Sequence, residues 1–583
     1  MRIILPIDDF LYSLFPDISS EDQLVQRLTE YYTVGAFKPS VTIEDGRAVV
    51  TFGSTPPIPL ERTDYQRVIM LCEKGRYAEA KPLLQGLINR NPSVSEYHRI
   101  FGQIRSDEGD QDGAINALID ALRWDPNNGY ALLMMGNIFA KYKDDVPTAL
   151  KYYGQALKAN PGDHIAMNHI GTQLMRQGKI AEGKEYLRQA LQINGEYPNT
   201  HFALGMIALT EGDLQAALEH SIQAAKFSKA KDVLYQNAVS QAFDAASKII
   251  RQGEGKKAVS AYLHKLEFEG GRLVESVADK DIPTAARMEF SENYGREKHV
   301  IRYKPDHPAV EHLVMHELAH LDFVIQARKT DDNQLFVATS EHRDRFVKRI
   351  GPTLGKLRQM GVSEQNIAGY CNALFEGFNR QVFNAPIDLF IEEFLYRQFP
   401  EIRAWQFLSL YNIIREGIHA VTDKKAAEVS PKEILSKSRI YNLVGALQFK
   451  ALYGLDLTGD FQATPGELKQ AEAFYEEYLE YKDDRKPAEE YELLLHWAQD
   501  LKADPFFELV NETEYRTRRT DIDGMLESIE NDPYDLASKD PYKKREMEQF
   551  QESQKSGSAN MAVVMFMLGA RPARDARRAA AAL

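Results

Sequence analysis

The chain has 583 residues, a net charge of -14 and only two cysteines, Cys72 and Cys371. That length holds several domains with their own cores, and the acidic balance without a long basic block argues against nucleic acid or an anionic membrane surface as the main partner. Two separated cysteines make no disulfide framework, which fits a reducing, cytoplasmic compartment.

In chain order, the first segment, residues 1–60, reads as a small α/β cap. Acidic Asp8 and Asp9 stand where an export signal would continue its apolar stretch, so none is expected. The runs Ser40–Glu44 and Arg47–Phe52 alternate in polarity and flank Asp45-Gly46, a strong hairpin signal.

Residues 61–266 carry an internal repeat. Gly75, Gly109, Gly178 and Gly212 each end one apolar helical pattern and precede another, at separations of 34, 69 and 34 residues. Ala80, Ala114, Ala149, Gly183 and Ala217 keep the same phase, as do Ala121, Ala156, Ala190 and Ala224 seven residues further on. Pro92, Pro126 and Pro161 close successive units. A helix-turn-helix period of this length with small residues at the crossings resembles tetratricopeptide repeats. The resemblance covers about Asp64 to Lys231, with a degenerate pair reaching Leu266, and implies a superhelix whose concave face takes a peptide or a helix of a partner protein.

Residues 267–510 open with two short strand patterns, Thr284–Phe290 and Lys298–Tyr303, joined by the turn-forming Asn293–Arg296. A helix then runs from about Pro308 to Arg328 and contains His316-Glu317-Leu318-Ala319-His320. Two histidines four residues apart share one helical face and can reach one metal, while Glu317 points at its open position. Zinc lowers the pKa of a bound water, and a carboxylate beside it accepts the proton and passes it to a leaving amine. Asp322 is unusual in an otherwise apolar flank, consistent with a role behind the metal or a less buried site. His312, one turn before His316, lies on the ligand face and could stand behind a ligand, but such a histidine is more often a surface residue and is read so here.

Strands feeding an HExxH helix are the order found in zincin-class zinc metallopeptidases, which this stretch resembles. The resemblance implies that an edge strand beside the metal helix holds an extended substrate, and the strand with Val300 and Arg302 is the candidate. A catalytic zinc needs a third protein ligand. The stretch Asn384–Tyr396 reads as a helix with Pro386 in its first turn, placing Asp388 and Glu392 on one face. One of them could bind the metal and the other orient a ligating histidine. Thermolysin-like gluzincins have a glutamate ligand with an aspartate four residues later, the reverse of the order here. The Asn-x-Ala-x-Asp-x-x-Ile-Asn element of some predicted bacterial metallopeptidases points to the aspartate; Asn384, Asp388 and Ile391 match it, whereas Pro386 and Glu392 depart from it. Both assignments stand at this level, with Glu393 a third and a solvated acidic face without metal the bland alternative. His312, His342, Tyr370, Tyr396 and Arg397 are undifferentiated candidates for stabilising an oxyanion.

Residues 511–583 read as a charged arm, with a short apolar helix at Met561–Ala570 about half as long as a bilayer span requires, so stable membrane insertion is not expected. The expectation is a mainly α protein: a tetratricopeptide-repeat superhelix followed by an α+β zincin-like domain with a small antiparallel sheet. The resemblance implies a zinc-dependent peptidase acting on a peptide or protein substrate, with Zn2+ expected to be held by His316, His320 and Glu392 or Asp388 and Glu317 expected as the base. The alternative is an interaction scaffold whose HExxH domain is inactive or structural.

Overall fold

The computed structural model describes residues 2–15, 18, 20–33, 38–51, 62–228, 230–282 and 284–518. Met561–Ala570 and most of the charged arm lie outside the described residues. The chain divides into two compact units, Met1–Glu211 and Gly212–Leu583.

The first unit begins with strand Arg2–Pro6, which pairs antiparallel with Arg47–Thr51, itself the partner of Ser40–Glu44. Asp45 and Gly46 both have positive φ (48° and 70°), the backbone a tight hairpin of this twist requires. Helices Asp9–Leu14 and Glu21–Tyr32 cover the sheet, burying Leu11, Leu24 and Leu28 against Ile3, Leu5 and Val50. The cap rests on the repeats through an edge-to-face contact of Phe10 with Tyr152 and an ion pair of Asp8 with Lys158 at 2.8 Å.

Helix pairs follow at the expected period: Arg62–Glu73 with Tyr77–Arg90, Ser95–Asp107 with Gln111–Trp124, Gly129–Lys141 with Val146–Ala159, and His164–Arg176 with Ile180–Ile193. The interval of two periods plus one has a local cause. The third pair turns through Tyr142–Asp145, one residue longer than its neighbours, and Asp144 (φ 50°) takes the left-handed position that Gly109 (φ 87°) takes one unit earlier.

The in-phase small residues are where helices cross. Ala80, Ala114, Ala149, Ala121, Ala156 and Ala190 are fully buried. A Cβ on Gly136 would stand 2.3 Å from the Tyr153 ring, whereas one on Gly154 would meet nothing within 4 Å. Gly136→Ala therefore lowers stability by about 1–3 kcal/mol through overpacking, and Gly154→Ala raises it by about 0.5–1 kcal/mol through helix propensity. Thermal unfolding of the two variants beside wild type checks the opposite signs.

In the second unit, helices Leu214–Phe227, Val233–Gln252 and Gly255–Gly270 lie within the stretch whose sequence reads as repeats. Val233–Gln252 packs on Arg403–Thr422, and Gly255–Gly270 packs on the HExxH helix, Val310–Lys329. The three-stranded sheet is mixed. Central strand His299–Tyr303 pairs in parallel with Val274–Ala278 and antiparallel with Ala286–Glu289. This corrects the edge-strand expectation: Val300 and Arg302 sit in the middle strand, whose backbone is occupied on both sides. Among the described residues, the strand beside them that has no partner on one flank and packs on the HExxH helix is Ala286–Glu289. The segment Val274–Ala278, whose pattern alternates poorly, was not legible as a strand.

The acidic helix differs from its expected start. Pro386 is not in a first turn but inside a continuous helix, Glu364–Gln398. Proline removes one hydrogen bond there, at a cost of about 3 kcal/mol in an isolated helix. Burial on two sides offsets it: Val382, Ile387 and Ile391 are sealed, and the helix packs on Lys432–Tyr453 and Glu490–Asp500.

The first residues of the arm take regular secondary structure. Glu508–Asn511 pairs antiparallel with Gln334–Val337, and Glu512–Arg518 is helical. Glu512 is buried, and Arg328, at the end of the HExxH helix, grips both its oxygens at 2.7 and 2.8 Å; Asn333 adds a third donor at 2.9 Å. Burial opposes the charge, yet these partners bring the carboxyl down to about 2. A depressed carboxyl contributes stability that is complete above its ordinary pKa and is lost as pH falls toward 2. Glu512→Gln therefore costs about 1.5–3 kcal/mol near neutrality and almost nothing at pH 2, a convergence that urea unfolding at the two pH values measures.

Among the described residues no helix is long and apolar enough to cross a membrane.

Candidate metal centre

Two helices build the centre. The HExxH helix presents His312, His316 and His320, one turn apart, and the acidic helix presents Asp388 and Glu392, also one turn apart. The contacts run in opposite order along the two helices: Glu392 lies against His312 and His316, and Asp388 against His316 and His320. The helices are therefore antiparallel where they meet, and His316 is shared.

The outer cluster has the geometry of a metal triad. His316 Nε2 and His320 Nε2 lie 3.3 and 3.5 Å from the same oxygen, Asp388 Oδ1. Tetrahedral zinc with its usual bond lengths holds ligand atoms about 3.3 Å apart. Asp388 Oδ1 is shielded from solvent and faces only these two imidazoles, without a well-aligned hydrogen bond, an arrangement that a bound cation would satisfy better. The three residues are half-buried and their ligand atoms converge, so the donor set fits zinc. Burial alone would raise the Asp388 carboxyl; His316 and His320 pull it below its ordinary value. Burial would lower His316, but Asp388 and Glu392 raise it well above 6.5, so a proton would compete with a metal for this ring.

Glu392 forms a second, deeper convergence with His312 and His316 that could also hold a metal. It is 3% exposed and already saturated: His316 Nδ1 lies 2.8 Å from Oε1, His312 Nε2 lies 3.0 Å from Oε2, and Gln406 Nε2 donates to Oε2 at 2.6 Å. Burial would push this carboxyl up, but His312 and His316 hold it well below the carboxylate range. A charged Glu392 facing Nδ1 favours a proton there, so that when the ring gives up its second proton Nε2 is the nitrogen left free to bind a metal beside Asp388.

The surface reading of His312 is corrected, and the alternative, a group behind the ligands, fits its contacts. His312 is 1% exposed, bound to Glu392, and its Nδ1 is shielded without a hydrogen bond. Burial and this neighbour push His307 down to about 4. Glu393 is drawn away to Arg397 at 2.6 Å and Lys482 at 3.7 Å. Glu317 is half-buried on the HExxH helix, and among the described residues its carboxylate has no hydrogen bond or ion pair.

Asp322 is buried but faces away from the metal residues, accepting from Tyr262 at 2.8 Å and Gln326 at 3.0 Å. It ties the HExxH helix to Gly255–Gly270, which explains a polar residue in that flank. The oxyanion candidates other than His312 are engaged elsewhere. His342 completes a capping box with Thr339, Tyr370 donates to Val429 O at 2.9 Å, Tyr396 stacks under Arg403, and Arg397 pairs with Glu393 and Asp483. Gln406, on helix Arg403–Thr422, carried no signal, because an isolated glutamine in an apolar helix predicts nothing.

Residues 170–233 match the family model described as tetratricopeptide repeat. A curated relative, peroxisome biogenesis protein 5 of Arabidopsis thaliana, is 29% identical over 138 residues, 24% of this chain; the chain spans 18% of that relative's length. Among solved structures, a thermophilic TPR protein of Thermus thermophilus is 18% identical, covering 31% of this chain and 98% of that one at a TM-score of 0.28. MamA from Desulfovibrio magneticus is 20% identical, covering 29% of this chain and 96% of that one at a TM-score of 0.26. The matched segment runs from within helix His164–Arg176 through Ile180–Ile193, Pro198–Glu211 and Leu214–Phe227, and this stretch carries tetratricopeptide repeats.

Proposed function

We propose that the chain is a zinc-dependent peptidase whose tetratricopeptide repeats recruit a protein partner or substrate. The observation that carries the catalytic part is the convergence of His316 Nε2 and His320 Nε2 on the otherwise unbonded Asp388 Oδ1. His316, His320 and Asp388 would hold the metal, with Glu392 orienting His316. This reading takes Asp388 rather than Glu392 as third ligand.

Zinc in this site supplies Lewis-acid polarisation of a carbonyl and a lowered pKa for water. Glu317, uncommitted to other partners, takes the proton from the attacking water and returns it to the departing amine. The flank of Ala286–Glu289 that has no partner among the described residues, against the HExxH helix, suits an extended peptide held by backbone hydrogen bonds. The test is cleavage of a mixed peptide pool by the full chain, read by mass spectrometry with and without a zinc chelator. Cleavage that survives zinc removal would exclude this mechanism.

A second reading is an interaction scaffold whose metal centre is structural, and the family-model match over the repeats favours it. The two part on Glu317. A scaffold keeps every property when Glu317→Gln is introduced; a peptidase loses turnover.

A further inference from the structure

A hydrogen-bonded chain reaches the metal centre from a helix that supplies no ligand. Gln406 is fully buried and donates through Nε2 to Glu392 Oε2 at 2.6 Å and to the Glu392 backbone oxygen at 2.9 Å. Both acceptors lack protons, so the amide must present its nitrogen to them and its oxygen to the far side. There Gln406 Oε1 lies 3.0 Å from the hydroxyl of buried Tyr453, on helix Lys432–Tyr453. The Tyr453 hydroxyl also reaches Arg403 O at 3.2 Å, but Gln406 Oε1 is the nearer acceptor, so the amide orientation set by Glu392 is supported at its far end.

Glu392 in turn has one oxygen to spend on His316. Gln406 and His312 fill Oε2 from two directions, which leaves Oε1 facing His316 Nδ1 at 2.8 Å. Without the Gln406 donor, Oε2 loses its shortest bond and keeps only His312 at 3.0 Å, so the carboxylate is held less tightly about its last torsion, a broad two-fold well. The proton on His316 Nδ1 and the tilt of its ring both depend on that rotation.

We propose that Gln406 is a positioning residue of the metal centre: it locks the Glu392 carboxylate so that His316 presents Nε2 to the metal, and Tyr453 locks Gln406. The inference rests on the metal-site reading above. It adds a third helix, Arg403–Thr422, to the two that carry ligands, and predicts metal affinity to depend on residues one and two hydrogen bonds behind Glu392.

The test is a zinc dissociation constant for the full chain, measured by competition with a chromophoric chelator. Gln406→Met keeps length and burial and removes the donor. Its Kd rises about 10–100-fold. In a Glu392→Gln background the same change adds less than about two-fold, because its effect runs through the carboxylate. Tyr453→Phe, which removes only a hydroxyl, raises Kd in the same direction by a smaller factor and covers the case in which Gln406→Met does not fold.

An unchanged Kd in Gln406→Met, or in Tyr453→Phe where the first does not fold, overturns the proposal while leaving the metal site intact. So does a loss equal in both backgrounds, which would mark general destabilisation. A wild type that binds no zinc removes the site itself, and the proposal with it.

Discussion

Asp388→Ala loses zinc, and Glu392→Gln weakens it without abolishing it. The two carboxylates share a helical face, so the difference is a sharp test of which one faces the metal. Protein zinc sites gain about 10–16 kcal/mol from roughly four ligands, so removing one costs about 3–4 kcal/mol, a hundred- to thousand-fold rise in Kd. Asp388 also leaves two imidazoles without their shared partner oxygen. Glu392→Gln acts at one remove. The amide keeps an acceptor for His316 Nδ1, but its nitrogen then faces the donors His312 and Gln406. Such changes behind a ligand cost about 10–100-fold. Isothermal titration with a chelator reads both, and the reverse ranking would make Glu392 the ligand.

Glu317→Gln retains zinc and loses turnover. Glutamine matches glutamate in shape but cannot take a proton, so kcat falls about hundred- to ten-thousand-fold, the usual contribution of a positioned acid-base group. KM stays near its wild-type value, since the carboxylate acts in the transition state. His320→Ala loses metal and turnover together. Peptide cleavage followed by mass spectrometry, beside metal content, separates the two variants. Equal turnover in Glu317→Gln and wild type would move the account to the scaffold reading.

Much of this was legible before any fold. The repeats declared themselves because glycine, alanine and proline keep one phase over several units, and each class has its own steric reason: a left-handed turn, a helix crossing, a closing loop. Even the extra residue between Gly109 and Gly178 was visible, and Asp144 explains it. The HExxH helix and an acidic helix behind it were equally plain.

The choice between Asp388 and Glu392 was not. Spacing places both on one face, but which is outermost depends on how two helices cross, and one turn along the antiparallel pair exchanges the roles. His312 was misread for a related reason. A histidine in an apolar helix shows burial only when its partner is known, and Glu392 lies 80 residues away. Pro386 suggested a helix start because local propensity says so; buried packing on both sides overrode it. Gln406 and Tyr453 are further still, joined to the centre only through tertiary hydrogen bonds.

The most direct test is the zinc content of the full-length wild type beside His316→Ala, by elemental analysis after exhaustive dialysis. The account predicts about one zinc per wild-type chain and none in the variant, since His316 alone faces both Asp388 and Glu392. No zinc in the wild type would contradict it, and leave the tetratricopeptide repeats as the working part of the molecule.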